Sequence, residues 1–142
     1  MQERTDTFER YDAWILAAVL HSSDGNTPVT LSRLIGTADG LNKAVICRSE
    51  LELGIGRLVR SGYLQVVGQD FTPTASALGL ATVAGPTIDS IAKAIGAKAW
   101  SPQSRIPKTT DENYVTADAY AKAEKKYRKE FWKSYRSLAR DK

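Results

Sequence analysis

The pattern between Thr30 and Thr74 constrains this chain more than any other stretch, because it has room for only two short amphipathic helices and a tight β-ribbon. Thr30 is a capping residue. Behind it Leu31, Leu34, Ile35, Ala38 and Leu41 recur at helical spacing, which predicts a helix continuing through Asp39-Gly40-Leu41-Asn42-Lys43. A further helix is predicted to open at the capping box Ser49-Glu50-Leu51-Glu52 and to end at Gly62. Tyr63 to Val67, the turn Gly68-Gln69-Asp70 and Phe71-Thr72 then form a hairpin, with Pro73 closing the return strand. Pro28-Val29-Thr30 is expected to add a short strand and complete a small three-stranded sheet.

The flanks are helical. Asp6-Thr7-Phe8-Glu9 reads as a capping box for a first helix that runs through His21. Its centre, Trp14 to Leu20, is apolar all round, so more than one side must be covered, and the expected cover is the C-terminal helix or a second subunit. Thr74 to Ala84 predicts a short helix that Gly85-Pro86 breaks. Thr87 to Trp100 predicts another, with Ile88, Ile91, Ala92, Ile95 and Ala99 on one face and Asp89 near its N-terminus. Ser101 to Val115, with Pro102 and Pro107, reads as a linker. Thr116 caps the last helix, where Tyr120, Tyr127, Phe131, Tyr135 and Leu138 form a packing stripe opposite Lys122, Lys126, Lys129, Lys133 and Arg136. The expected fold class is therefore mainly α with a small β-ribbon.

Charge is unevenly placed. Residues 1–116 carry 11 Lys and Arg against 12 Asp and Glu, whereas residues 117–142 carry 9 against 4, so the basic excess lies wholly in the C-terminal segment. Such a segment suits a polyanion, an acidic protein face or plain solvent. The single cysteine cannot form an internal disulfide, and no signal peptide or apolar run of spanning length is seen, which places the chain in the cytoplasm without a membrane partner. Catalytic chemistry finds no inventory. His21 is the only histidine and is expected to help the last carbonyls of its helix, while Cys47 is expected to be a small buried filler. No catalytic residue, metal ligand set or phosphate loop is predicted, and hence no enzyme activity and no cofactor.

The helix from Ser49 carries most of the functional argument. Leu51, Ile55, Leu58 and Val59 share an inward face, leaving Ser49, Leu53, Gly56, Arg57 and Arg60 outward. Glu50 and Glu52 are assigned to capping and to the helix dipole. Arg57 and Arg60 lie late on the helix, where contact with backbone phosphate is expected. The hairpin tip carries no cation for a minor groove. Leu53 beside Gly54 and Gly56 implies that another element approaches closely, since a mid-helix glycine costs ~1 kcal/mol relative to alanine.

Leu31-Ser32-Arg33-Leu34-Ile35, then Leu58-Val59-Arg60-Ser61-Gly62-Tyr63-Leu64, then Phe71-Thr72-Pro73-Thr74 resemble the winged helix-turn-helix of bacterial regulators of the MarR-like and related kinds. The resemblance covers about half the chain when the first helix is included. Beside the helix (85–100), the linker (101–115) and the basic amphipathic helix (116–142) read from the residues, the last expected to pack on the core or on a second subunit, the resemblance implies a winged-helix domain over residues 6–84. It further implies binding of double-stranded DNA through the third helix and the wing, and a homodimer built by the terminal helices. The chain departs from the pattern at the acidic start of that helix, at the cation-free tip and in its extended second helix. Two readings follow. In the first, a regulator contacts mainly backbone phosphates through Ser49, Arg57, Arg60, Lys122, Lys126, Lys129, Lys133 and Arg136. In the second, a protein-interaction module docks through Leu53, Gly56 and Trp132, and the basic helix meets an acidic protein partner.

Overall fold

A helix that is apolar on every side can only sit between other elements, and α1 (Arg10–Ser22) does so. In the computed structural model, which describes residues 8–23, 27–97 and 114–140, and side chains of the last helix as far as Lys133, every residue from Tyr11 to Val19 is buried. The helix begins later than the sequence predicts. Glu9 is its N-cap, and the reciprocal carboxylate is that of Asp12, which accepts the Glu9 N–H at 2.9 Å; Asp6 and Thr7 lie outside the described residues. Three alanines, Ala13, Ala17 and Ala18, keep α1 thin enough for helices to close on it from several sides.

The chain is mainly helical with one small antiparallel ribbon. α2 (Leu31–Asn42) starts from Thr30, whose hydroxyl accepts the Arg33 N–H at 3.3 Å, and stops at Lys43 in the left-handed region, φ 53°. α3 (Arg48–Arg60) is capped by Cys47 and not by Ser49, because Glu50 reaches back to the Cys47 N–H at 3.2 Å. Its apolar face, Leu51, Ile55 and Leu58, enters the core as expected. β1 (Leu64–Val67) and β2 (Asp70–Pro73) pair in the register Leu64 to Pro73 and Val67 to Asp70. The turn is thus two residues, Gly68-Gln69, with Gly68 at φ 66°, the positive angle such hairpins require. Val29 makes a bridge to the other side of β2, exchanging both backbone hydrogen bonds with Phe71 at 2.7 and 2.9 Å. The expected third strand is present as that single bridge.

α4 (Ala75–Ala84) follows from Thr74, and α5 (Ile88–Ile95) from the reciprocal cap of Thr87 and Ser90. α5 ends at Gly96, earlier than predicted, and Lys98 to Trp100 lie outside the described residues. α5, not the C-terminal helix, covers the open side of α1: Ile91 and Ala92 are buried there, and Arg10 pairs with Asp89. His21 reaches the connection before α5, its Nε2 lying 3.0 Å from the Pro86 carbonyl, so it makes a long-range contact where the sequence suggested a local cap. The other sides of α1 meet α2 and α3, with the Trp14 Nε1–H donating to the Ala38 carbonyl at 2.7 Å. α6 (Ala117–Arg140) packs on α2. Most of the predicted linker lies outside the described residues, but its end does not behave as a linker, since Val115 is fully buried.

Candidate interface on helices α3 and α6

α3 offers less polar surface than its sequence implies, because most of its charged side chains, Arg48, Glu50, Glu52 and Arg57, are engaged within the chain. Arg57 is the clearest correction. It was expected to face outward toward phosphate, yet its side chain is only 14% exposed and forms a two-pronged ion pair with Asp12, Nε to Oδ2 at 2.6 Å and Nη2 to Oδ1 at 3.0 Å. The guanidinium also lies over the Tyr11 ring, 5.2 Å from its centroid. Burial pushes the Asp12 carboxyl above its usual range, and the Arg57 hydrogen bonds and charge pull it only part of the way back. Burial likewise opposes the Arg57 charge, but Asp12 outweighs it and raises the guanidinium pKa. A cation so committed cannot also serve a phosphate without breaking this pair.

Gly54 explains how α1 and α3 come so close. A Cβ there would fall against the Ile15 side chain and 2.8 Å from Asp12 Oδ1, so the close approach expected near Leu53 is made by α1 itself. Gly56 is buried, and Leu53 is half-buried against the core. Neither gives the open docking surface expected of them.

The segment leading into α6, Tyr114-Val115, occupies a second face of α3. Glu52 is 2% exposed, and its two carboxylate oxygens accept the Tyr114 N–H at 3.0 Å and the Val115 N–H at 2.6 Å. One turn earlier, Arg48 Nε donates to the Val115 carbonyl at 2.7 Å. Arg48 and Glu52, four residues apart, therefore grip one peptide segment from the same side of the helix. Sequence reasoning gave Glu52 a role at the helix dipole and missed this one, for its partners lie 62 and 63 residues away. Asp12 had a better signal, a carboxylate set at the head of an otherwise apolar run. On α3, Ser49 and Arg60 stay exposed, with half-buried Leu53 between them on the helix surface.

α6 places its residues much as its periodicity predicts, but on a different support. Tyr120 donates to the Ile46 carbonyl at 2.7 Å in the turn before α3, and the Tyr127 hydroxyl donates to Asp39. The Tyr127 ring rests on Gly36, where an added Cβ would come within 2.9 Å of it. Burial raises both phenols to about 12, helped at Tyr120 by the charge of Glu124 and at Tyr127 by the bond to Asp39. These tyrosines are packing residues. Opposite them Lys122, Lys126, Lys129 and Lys133 are exposed, Lys122 pairing with Asp118 at 3.3 Å; the side chains of Tyr135, Arg136 and Leu138 lie outside the described residues. Phe131 and Trp132 are 48% and 51% exposed and touch edge to face, with centroids 5.5 Å apart and planes at 82°.

The structure therefore brings Lys122, Lys126, Lys129 and Lys133 together on one helix face with Trp132 beside them, and separates them from Arg57. Cys47 is half-buried at the α3 cap, and burial raises its thiol pKa. Among the described residues no group of three His, Cys, Asp or Glu side chains converges as a metal site, and no helix is long and apolar enough to cross a membrane. Comparison with models of known protein families, with curated proteins and with solved structures finds no match.

Proposed function

We propose that this chain is a non-enzymatic protein-interaction module of winged-helix type, whose third helix serves the fold and whose last helix faces the partner. One observation carries the reading: the polar side chains of α3 that a DNA-reading helix would present are spent inside the chain. Arg57 is held by Asp12, Glu50 by the cap, and Arg48 and Glu52 by the segment leading into α6. A base-reading helix needs donors and acceptors free near its N-terminal half. Here that half exposes Ser49.

Fluorescence anisotropy with random-sequence duplex DNA across a salt series tests the reading. The expected result is no binding tighter than the ~10⁻⁶ M limit of ordinary non-specific contact, and no change on replacing Ser49 or Arg60 by alanine. Tight binding that falls in either variant overturns it. The row of exposed lysines on α6 favours a second reading, a regulator that touches only DNA backbone; its mark is a steep salt dependence lost on changing Lys122, Lys126, Lys129 and Lys133 to glutamine. Sedimentation equilibrium tests the homodimer that the resemblance implies.

A further inference from the structure

We infer that α6 and the first half of α2 form a docking surface for an acidic protein segment that carries a large apolar side chain, an inference that rests on the interaction-module reading. Tyr127, seated on Gly36, and Phe131 form one wall of an open groove of about 530 Å³, and Arg33 and Thr37 of α2 stand across from them. Lys126 and Glu130 complete its rim. Trp132, outside the groove lining, touches the Phe131 ring edge to face. At helical spacing, Lys125 and Lys129 fall seven and three residues before Trp132 and so share its side of α6. Arg33, Lys125, Lys126, Lys129 and Lys133 are all exposed.

Two properties of this surface select the occupant. Its charge is positive, in a segment whose basic excess of five contrasts with the near-neutral remainder of the chain. It exposes two touching half-exposed aromatic rings, Phe131 in the groove wall and Trp132 beside it, the residue type that dominates binding energy when an interface closes over it. A phosphate backbone would engage the lysines but leave both rings in water. A lipid surface would require a broad apolar stripe, whereas Tyr120 and Tyr127 are already packed against the body. An acidic peptide with a leucine or an aromatic residue covers rings and cations together.

The test uses the full chain and fluorescein-labelled synthetic peptides, one rich in Glu and Asp with two leucines, the other with alanine at the leucine positions. Random-sequence duplex DNA and phosphatidylserine-containing vesicles form parallel arms. The leucine peptide is expected to bind, and alanine replacement to weaken it ~10-fold. Trp132→Ala and Phe131→Ala should each weaken it by a similar factor at unchanged salt dependence, while Lys129→Gln/Lys133→Gln flattens the salt dependence. Circular dichroism checks that each variant keeps its helices. Failure of the peptide to bind, or binding indifferent to its leucines and to Trp132, overturns this inference; with the DNA arm silent, the interaction-module reading stands. Vesicle binding that needs Trp132, without peptide binding, also overturns it. DNA binding tighter than peptide binding, lost in the lysine variant and kept in Trp132→Ala, overturns both.

Discussion

Replacing Arg57 by alanine separates the two roles that this residue could hold, because a phosphate contact on the surface would cost the fold almost nothing. The structure predicts a large cost. Asp12 has no exposed surface, and Arg57 supplies two of its hydrogen bonds and its only cationic partner among the described ion pairs. Removing one partner of a buried pair typically costs ~3–5 kcal/mol, since the other charge stays buried without compensation. The loss should also depend on pH. Asp12 already sits above its ordinary value of 3.8 because of burial, and without Arg57 it should rise further. A carboxyl whose folded pKa is raised stabilises the fold below its unfolded pKa, and that contribution is lost as pH climbs through the folded value. The variant should therefore lose most relative to the parent near pH 7, and the gap should narrow as the pH falls toward 4. Urea unfolding of both proteins at a series of pH values measures this. The double variant Asp12→Asn/Arg57→Leu should recover part of the loss, because asparagine can still accept the Glu9 N–H and no buried charge remains. A loss below ~1 kcal/mol at pH 7, or a gap that does not change with pH, would refute the account of Arg57 as a structural residue.

Other consequences are as direct. Gly54→Ala should cost ~1–3 kcal/mol by denaturant titration, because the new methyl meets Ile15 and an Asp12 that Arg57 holds in place; a neutral change would mean that α1 and α3 separate freely. Glu52→Gln keeps one acceptor oxygen and loses the charge, so a cost of ~1–3 kcal/mol is expected, with faster hydrogen exchange at the Tyr114 and Val115 amides. Unchanged exchange at those two amides would show that the segment is held by something else. Tyr120 and Tyr127 should ionise only near pH 12 in an absorbance titration. Their raised values stabilise the fold below pH ~10, and that stabilisation is lost as pH rises toward 12, so alkaline unfolding should begin in this window and shift upward in Tyr120→Phe/Tyr127→Phe.

The sequence by itself determined the elements and most of their faces. Leu51, Ile55 and Leu58 are buried because their spacing puts them on one side of any helix, whatever surrounds it. For the same reason Tyr120 and Tyr127 pack while the lysines opposite them stay in water. The two strands, their tight turn and the caps at Thr30, Thr74, Thr87 and Thr116 are equally local, each being a contest among neighbouring residues for backbone hydrogen bonds. Even the all-round apolar character of α1 was readable, together with its consequence that other elements must enclose it.

Tertiary structure decided which elements those are and what the charged residues do. Nothing near Arg57 in the sequence marks Asp12 as its partner, and nothing near Glu52 points to Tyr114 and Val115. A carboxylate or guanidinium has no fixed side of a helix in the way leucine has: it faces water when unpaired and is buried when a counter-charge or a pair of backbone N–H groups satisfies it. That choice depends on distances between segments far apart in the chain. The sequence could therefore say that α3 is a helix with an apolar face, while only the assembled fold could turn Glu50, Glu52 and Arg57 inward and leave the lysine row of α6 in water.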